Sequence, residues 1–338
     1  MPVDLSSLTA VHRLLFAIPL EPLQGKRFQA TGFPGLGAAT FQTKDGPCLL
    51  VESAQSTANR LEKVVWDEAQ QDLVAPLAGL SHVRVVRGPK KEFFTDTVLE
   101  AHRLNSPYLL ESSDKTFFSK LKESLGGLEA GPIDRKKLAA AILHFDAGSL
   151  IHGLFLAKKE LAGGRLRVAR ALSSFIEADG VRVAASGGVK NDHVNPSGDT
   201  KKGYGNVPFA RDEFTADTIT LYANLDLVQI RGYGLGAAAE KLLILLALWK
   251  LRALLDSGLR LRTACDLQVK NPVIVATNVA GFDLPALAVL SADLTAAIAA
   301  NAGAMTVTTV AYDDDLVTGK GDADADKDEA DADAGDDK

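Results

Sequence analysis

The chain has 338 residues, of which 46% are hydrophobic and 24% are charged, and its formal net charge at pH 7 is −6. This composition is typical of a globular protein and excludes a fibrous or wholly disordered chain. The length allows one large domain or two smaller ones. The two cysteines, Cys48 and Cys265, predict neither a disulfide framework nor a structural zinc site, and they fit a reducing cytoplasm.

The charge is distributed unevenly along the chain. Residues 311–338 carry a net charge of −9, which leaves +3 for residues 1–310. Residues 313–338 contain repeated Asp-Ala units with nothing to bury, and we predict that they form a disordered acidic tail. Our hypothesis is that this tail limits non-specific nucleic-acid binding by competing for the basic surface of the body.

The sequence predicts neither a signal peptide nor a membrane-spanning helix. The N-terminal residues lack the apolar core of a signal peptide. The most apolar run, Leu242–Trp249, is far too short to span a bilayer. We therefore expect a cytoplasmic protein with no membrane partner.

The first half of the chain predicts strands and helices in mixed order. A helix is expected to begin at Ser53 or Ser56, because either serine can cap it and apolar residues then recur at helical spacing. A second helix is expected from Asp134 to Phe145. Strands are predicted at Arg13–Ile18, Cys48–Val51 and His82–Val86.

The second half alternates strands with two apolar helices. Strands are predicted at Ser149–Leu156, Arg165–Ala169, Phe175–Ala184, Asp217–Ile230 and Leu259–Val269, and helices at Ala237–Leu255 and near Ala286–Ala300. Between them, Ser186–Phe209 is rich in glycine and carries lysines, so it is predicted to be a long functional loop. This order is compatible with a ferredoxin-like βαββαβ core that carries large insertions.

Enzyme motifs are scarce. None of the six histidines belongs to a nucleophile or metalloprotease motif, and we predict no catalytic residue, no metal and no cofactor. The glycine-rich stretch Arg231–Gly236 lacks the spacing of a dinucleotide or P-loop fingerprint. It could receive one phosphate of a longer polymer at the following helix start, or it could be a tight turn.

Basic residues are concentrated in one part of the chain. The span from Lys158 to Arg211 contains ten Lys or Arg and five acids, a net charge of +5. Arg165 and Arg167 are expected to share one face of a strand, which suits repeated phosphates. A solvated charged face is the ordinary alternative.

Four segments resemble motifs of one protein family, and they occur in the same order as in that family. They are Glu52–Glu62, Glu100–Tyr108, Ser186–Val194 and Leu259–Leu267. Together they are similar to the CRISPR-associated RAMP backbone subunit of type I-G systems, formerly I-U, which is the Cas-seven-type subunit also called Csb-one. The similarity covers approximately residues 45–270.

The resemblance implies an α+β fold with a modified ferredoxin-like or RRM-like palm, a helical finger insertion and a thumb hairpin loop. The implied boundaries place the palm at 1–66, 146–185 and 213–312, the last with a C-terminal helical part. The finger-like insertion is expected at 67–145, the thumb loop at 186–212 and the disordered acidic tail at 313–338.

The resemblance and the charge pattern together predict an RNA-binding surface. The helix start at Ser53–Arg60 looks like the family's Ser-x-Gln-Ser element, where hydroxyls and free backbone N–H groups hold guide phosphates; a serine-capped core helix is the alternative. Val194 or Val207 of the thumb could wedge between bases. The predicted RNA-binding residues are Ser53, Gln55, Ser56, Asn59, Arg60, Arg165, Arg167, Arg170, Lys190, His193, Lys201, Lys202, Arg211, Arg231 and Tyr233.

The resemblance implies a non-enzymatic backbone subunit of a Cascade effector. Copies of such a subunit line up along one CRISPR RNA and present it for pairing with target DNA, together with other Cascade subunits. The guide would be held sequence-independently through its backbone. Two alternatives stay open: an endoribonuclease using Asp45 or Asp192, and a nucleotide-binding enzyme using the Gly232–Gly236 loop.

Overall fold

The computed structural model describes residues 2–33, 37–128 and 131–316. The strands of this described part are β1 (Arg13–Pro22), β2 (Phe28–Gln29), β3 (Gly32–Phe33), β4 (Gly37–Ala38), β5 (Thr40–Thr43), β6 (Gly46–Glu52), β7 (Trp66–Asp67), β8 (Asp72–Leu73), β9 (His82–Arg87), β10 (Glu92–Asp96), β11 (Leu154–Leu156), β12 (Leu166–Val168), β13 (Leu172–Asp179), β14 (Arg182–Lys190), β15 (Val207–Thr215), β16 (Thr218–Asp226), β17 (Leu259–Arg262), β18 (Cys265–Val269) and β19 (Val307–Ala311). Its α-helices are α1 (Ala54–Lys63), α2 (Pro107–Leu110), α3 (Thr116–Ser124), α4 (Arg135–Phe145), α5 (Gly148–His152), α6 (Leu227–Gly232), α7 (Ala237–Asp256) and α8 (Leu287–Ala300).

A seven-stranded antiparallel sheet organises the fold, with the strand order β17-β18-β1-β16-β13-β6-β5. Four adjacent strands, β18-β1-β16-β13, follow the order expected for the predicted βαββαβ core. Helix α1 lies in the connection from β1 to β13, and α7 lies in the connection from β16 to β18. The β5–β6 hairpin is inserted before α1 and extends one edge of the sheet, so the prediction holds in part.

The two faces of this sheet differ in burial. Along β1, Leu14, Phe16, Ile18 and Leu20 alternate with more exposed residues and are buried. Helix α1 packs on β13 and against α7, so the buried face is the one that the helices cover. Helix α7 is apolar on nearly all sides because it is enclosed between the sheet and α8. We call the opposite side of the sheet the open face.

The segment 67–145, expected to be a helical finger, contains strands as well as helices. Strands β10, β9 and β19 form a three-stranded sheet in which β9 and β19 run parallel. Helices α2, α3 and α4 follow β10 in the chain. Strand β9 confirms the strand predicted at His82–Val86. The other strands and the parallel pairing were not predicted, since the partner strand β19 lies far away in the sequence.

The predicted loop Ser186–Phe209 is confirmed for residues 191–206, and its two ends belong to the strands of a β-hairpin. Strands β14 and β15 pair antiparallel from Arg182↔Thr215 to Lys190↔Val207, and only residues 191–206 connect them as a loop. Gly187 and Gly188 obscured the strand in the sequence. An added Cβ at Gly187 would lie 2.6 Å from the Phe209 carbonyl oxygen, so the close approach of β15 explains the glycine there.

Several predicted strands have different boundaries or types. The stretch Phe175–Ala184 joins the end of β13 to the start of β14 across residues 180–181. The stretch Ser149–Leu156 is mainly helix α5, because the buried Asp146 accepts hydrogen bonds from the amide and hydroxyl of Ser149 and starts a turn. The strand predicted over Asp217–Ile230 ends at Asp226, whose carboxylate caps α6. The strand predicted over Leu259–Val269 is the β17–β18 hairpin.

The predicted acidic tail begins too early at residue 313. The Asp313 carboxylate accepts a hydrogen bond from the Gly88 amide at 2.8 Å, and the Asp314 carboxylate accepts one from the Ser113 amide at 2.6 Å. Residues 317–338, to which the rest of that prediction applies, lie outside the described residues. Within the described ranges, no helix combines the length and apolar character needed to cross a bilayer.

Candidate nucleic-acid interface

A basic cleft of about 1160 Å³ opens where the start of β1 meets β12, α4 and α6. We call it the arginine cleft. Its charged or titratable lining residues in the described part of the chain are His12, Arg13, Arg135, Arg165, Arg167, Asp226 and Tyr233. With four arginines and one carboxylate, the lining concentrates positive potential, as an anionic polymer requires.

The arginines of the cleft differ in how firmly they are held. Arg165 donates to the main-chain oxygens of Ala162, Gly131 and Leu128 at 3.2, 3.0 and 2.8 Å. Because these acceptors are neutral, they fix the guanidinium without cancelling its charge. The guanidinium of Arg167 lies 4.8 Å from the centroid of the half-exposed Phe155 ring. Arg167 is therefore the more available donor to a bound phosphate.

Arg13 and Tyr233 complete the walls of the cleft. Arg13 forms an ion pair of 3.1 Å with Asp226, across the β1–β16 pair. Tyr233 is buried and donates its hydroxyl to the Leu150 carbonyl oxygen at 2.7 Å. Burial raises the pKa of Tyr233 to about 12, so this hydroxyl stays protonated at neutral pH. The tyrosine therefore serves the cleft as packing and not as a free hydrogen-bond donor.

The structure brings three of the predicted RNA-binding residues into this cleft: Arg165, Arg167 and Tyr233. Arg231 is close in sequence to Tyr233, but it is not part of the cleft lining. Its guanidinium donates to the main-chain oxygens of Leu8, Thr9 and Val11 and thereby attaches the N-terminal segment to α6. Its placement indicates a structural role.

The predicted helix-start site is organised around a buried carboxylate. Ser53 caps α1 by accepting from the Ser56 amide at 3.2 Å, as expected. Glu52, which is 1% exposed, accepts from the Ser56 hydroxyl, from Arg60 at 2.8 Å and from Arg262. Arg60 also donates to the main-chain oxygens of residues 260 and 261. Ser56 and Arg60 are therefore engaged within the protein.

Gln55, Asn59 and Arg170 lie beside this start on the outer side. The Gln55 side chain donates to Asn59 at 2.9 Å and accepts from Arg170 at 2.9 Å. Arg170 also donates to the Ala54 carbonyl oxygen, while its Nε atom is buried without a hydrogen-bond partner. Burial and the nearby Arg103 lower the pKa of Arg170. A phosphate contact of these three residues stays a prediction.

The thumb residues lie on the β14–β15 hairpin, apart from the cleft lining. Lys190, His193, Lys201 and Lys202 are exposed, whereas Arg211 contacts Glu213 at 2.9 Å. At the tip, Val194 is 95% exposed and Tyr204 is 54% exposed. Val207, the other predicted wedge, is half-buried at the start of β15. An exposed apolar tip among cations suits contact with bases and phosphates.

The two acids considered for RNA cleavage lie in the loops of two different hairpins. Asp192 accepts from the amides of Val194, Asn195 and Gly205 at 2.8–2.9 Å, and these backbone hydrogen bonds lower the pKa of its carboxyl group. Asp45 is exposed in the β5–β6 turn. Among the described residues, no group of three or more His, Cys, Asp or Glu could hold a metal ion.

The Gly232–Gly236 loop connects two helices and does not follow a strand, contrary to the sequence prediction. Helix α6 separates it from β16. Gly234 and Gly236 have φ angles of 66° and 90°, a conformation that favours glycine, so the glycines are explained by the turn itself. The loop thus lacks the strand–turn–helix context of a nucleotide-binding fingerprint.

Sequence reasoning missed His12, Arg13 and Arg135 as members of the cleft. Arg13 was assigned only to a strand, and Arg135 only to a helix start. The consecutive cations Arg135, Lys136 and Lys137 were a usable signal, because basic residues are unfavourable at a helix N-terminus unless another requirement keeps them there. The convergence of three distant segments could not be read from the sequence.

Two solved structures are similar to the chain at low identity. One is titled "CRISPR RNA-guided surveillance complex, pre-nicking" and shows 14% identity, a TM-score of 0.33 and coverage of 72% of this chain and 70% of that chain. The other is the crystal structure of Thermofilum pendens Csc2, with 11% identity, a TM-score of 0.33 and coverage of 87% and 75%.

Comparison with families and curated proteins gives one match. None of the curated proteins compared with the chain matches it. The family model described as CRISPR-associated protein GSU0053 matches residues 14–183. This range covers half of the chain and includes β1, α1, β12 and β13, and with them Arg165 and Arg167. The chain therefore belongs to the family of the CRISPR-associated protein GSU0053.

Proposed function

We propose that the protein is a non-catalytic backbone subunit of a type I-G Cascade effector that binds the CRISPR RNA through the arginine cleft and the β14–β15 hairpin. The observation that carries this proposal is the convergence of Arg13, Arg135, Arg165 and Arg167 on one cleft, in a chain of a CRISPR-associated family. The seven-stranded sheet would serve as the palm and the hairpin as the thumb.

The chemistry of the cleft suits a guide of any sequence. Guanidinium groups fixed by neutral carbonyls, as at Arg165, bind phosphates and do not distinguish bases. One protein can therefore coat spacers that differ in sequence. Further copies would continue along the guide, and target DNA and the other Cascade subunits would join the assembled complex in the cytoplasm. RNA incubated with the protein is expected to remain intact.

Substitution of Arg167 tests the cleft. The full-length Arg167→Gln variant should bind single-stranded RNA about three- to tenfold more weakly than the unmodified protein, because one phosphate contact is lost. The plot of log affinity against log salt should become shallower by about 0.7. Fluorescence anisotropy with two unrelated RNAs of equal length measures both quantities, and the loss should be similar for the two sequences.

The matched control is Lys90→Gln, which removes one positive charge at the exposed β9–β10 turn, outside the cleft lining. This variant should retain the affinity and the salt dependence of the unmodified protein. Equal effects of the two substitutions would show that only net charge matters and would remove the cleft from the proposal. Spacer-dependent losses would contradict backbone recognition, and shortened RNA products would contradict the non-catalytic role.

A further inference from the structure

Two aromatic rings lie side by side on the open face of the sheet. Alternation along β13 and β16 buries Ile176 and Leu221 under the helices and leaves Phe175 and Tyr222 on the opposite side. The two residues are directly opposed in the strand pairing. Their ring centroids are 5.3 Å apart at an interplanar angle of 30°, and both residues are only partly buried. The pair is thus an aromatic platform facing away from the core.

The platform is joined to the arginine cleft along the strands. The next outward-facing row across the sheet is Ser173, Asn224 and Leu15, and the row after it is Asp226 with Arg13. Asp226 and Arg13 both line the cleft. Asp226 is four positions after Tyr222 on β16, which corresponds to roughly 13 Å along the strand. A chain that leaves the cleft along β16 therefore reaches the rings without crossing another element.

The row between the cleft and the rings carries an unused hydrogen-bonding group. The side-chain amide oxygen of Asn224 is buried and has no hydrogen-bond partner in the described structure. Polar atoms of this kind are usually paired in native proteins. Because this oxygen is enclosed by the protein, it is an unsatisfied acceptor beneath the row and not a contact open to a ligand.

We propose that the open face is a base-stacking site in which Phe175 and Tyr222 hold one or two unpaired bases of the RNA strand whose phosphates lie in the arginine cleft. This inference rests on the proposed function, because it concerns the strand that the cleft binds. Aromatic side chains hold bases of any sequence, since every base has a π face.

The composition of the open face favours a nucleic-acid strand over a protein surface. Around the rings lie the polar side chains Ser173, Asn224 and Thr220, with Ala17 and Leu15 on the β1 side. A protein interface core would carry more large apolar groups. On the cleft side, Arg13 lies in the second row from the rings, whereas Glu177 and Asp179 follow the rings along β13 on the other side. Phosphates are therefore accommodated toward the cleft, and the rings mark the far end of the bound segment.

The test replaces both rings in the full-length chain. The double variant Phe175→Leu/Tyr222→Leu should bind single-stranded RNA about tenfold more weakly, while the salt dependence of binding stays unchanged because no phosphate contact is lost. The control Phe41→Leu removes an exposed aromatic ring from the edge strand β5 and should retain full affinity. RNA carrying photoreactive uridine should form adducts with Phe175 or Tyr222, identified by mass spectrometry of the peptides.

The outcomes separate this inference from the proposed function. If Arg167→Gln weakens binding but the double variant does not, and no adduct forms on β13 or β16, the stacking site is wrong and the RNA-binding function remains. If the unmodified protein does not bind RNA at all, the proposed function fails first. If the double variant retains RNA affinity but loses self-association in light scattering, the open face is a contact between copies of the chain. An unchanged melting temperature of the double variant confirms that it is folded.

Discussion

Lys250 is a basic residue buried in the interior of the protein, where lysine is ordinarily exposed. It lies in the middle of the apolar helix α7, is 3% exposed, and its Nζ atom is 2.9 Å from the Nε2 atom of His152. Burial lowers the pKa of Lys250 to about 8, and burial together with the neighbouring cations lowers the pKa of His152 well below its usual value. At neutral pH the imidazole is therefore neutral, and its Nε2 atom can accept a hydrogen bond from the ammonium group.

A buried lysine with a lowered pKa makes stability depend on pH in a defined direction. Between pH 8 and about 10.5 the unfolded chain holds a proton on Lys250 that the folded chain has released, so stability rises with pH across this window. Lys250→Met removes this gain. From pH 7 to pH 10, the unfolding free energy of the native protein should rise relative to that of this variant by on the order of 2 kcal/mol. The melting temperature of the native protein should rise relative to that of the variant over the same range.

Thermal unfolding followed by circular dichroism at several pH values provides the measurement. The control is Lys241→Met, because Lys241 is exposed on the same helix. The difference in melting temperature between Lys241→Met and the native protein should stay constant over the same pH range. A constant difference for Lys250→Met as well would mean that Lys250 is charged in the folded state throughout.

At the scale of elements, α1 shows what the sequence could and could not predict. The serine cap and the apolar spacing predicted the helix, because both signals lie within a few residues of each other. The engagement of Arg60 was not predictable in the same way. It depends on Glu52, Arg262 and main-chain oxygens about two hundred positions away, which only the pairing of β17 and β18 with the rest of the sheet brings close.

The same reasoning applies to the arginine cleft. The sequence placed Arg165 and Arg167 on one short strand; the structure confirms a strand there, β12, which contains Arg167, but Arg165 lies in the turn just before it. The approach of Arg13 and Arg135 is a tertiary property, since β1, α4 and β12 meet only when α6 and the sheet are assembled. Local sequence patterns therefore predicted some of the arginines of the cleft but not the cleft itself.

The loop of the β14–β15 hairpin depends on one carboxylate. Asp192 accepts three backbone hydrogen bonds that close residues 191–206. Asp192→Ala should therefore make this loop a faster target for a protease, while the melting temperature changes by less than about 2 °C because the hairpin end is exposed. Limited proteolysis with mass spectrometry of the fragments measures the rate.

The control for the loop is Asp212→Ala, which alters an exposed acid on β15 of the same hairpin. Its proteolysis rate should match that of the native protein. Equal protection of all three proteins would mean that the loop is held by other contacts. If Asp192→Ala instead abolished an RNA-cleaving activity, the proposed non-catalytic role would be wrong.

For the whole molecule, the net charge of −6 conceals two parts of opposite sign. Residues 1–310 carry +3, and the residues that follow carry −9. Asp313 and Asp314 belong structurally to the body, because they contact Gly88 and Ser113. A test of the acidic tail should therefore preserve them and begin at residue 317.

Two truncations separate the role of the tail from the role of its attachment. Removal of residues 317–338 should leave the melting temperature unchanged and increase affinity for random RNA at low salt, because a competing polyanion is lost. Removal of residues 313–338 should in addition lower the melting temperature by about 2–4 °C, since Arg87, Gly88 and Ser113 lose their partners. Anisotropy and thermal unfolding measure the two effects. Unchanged RNA affinity in both truncations would leave the tail as a solubilising appendage.

The parallel pairing of β19 with β9 has a consequence for how the chain folds. Val307 pairs with His82, so the outer edge of β9 has no partner until almost the entire described chain has been synthesised. An unpaired edge strand with buried valines such as Val83 and Val85 is a template for association with other chains. Closure of this sheet is therefore expected to be a late folding event, and premature termination before residue 307 should yield a product that aggregates.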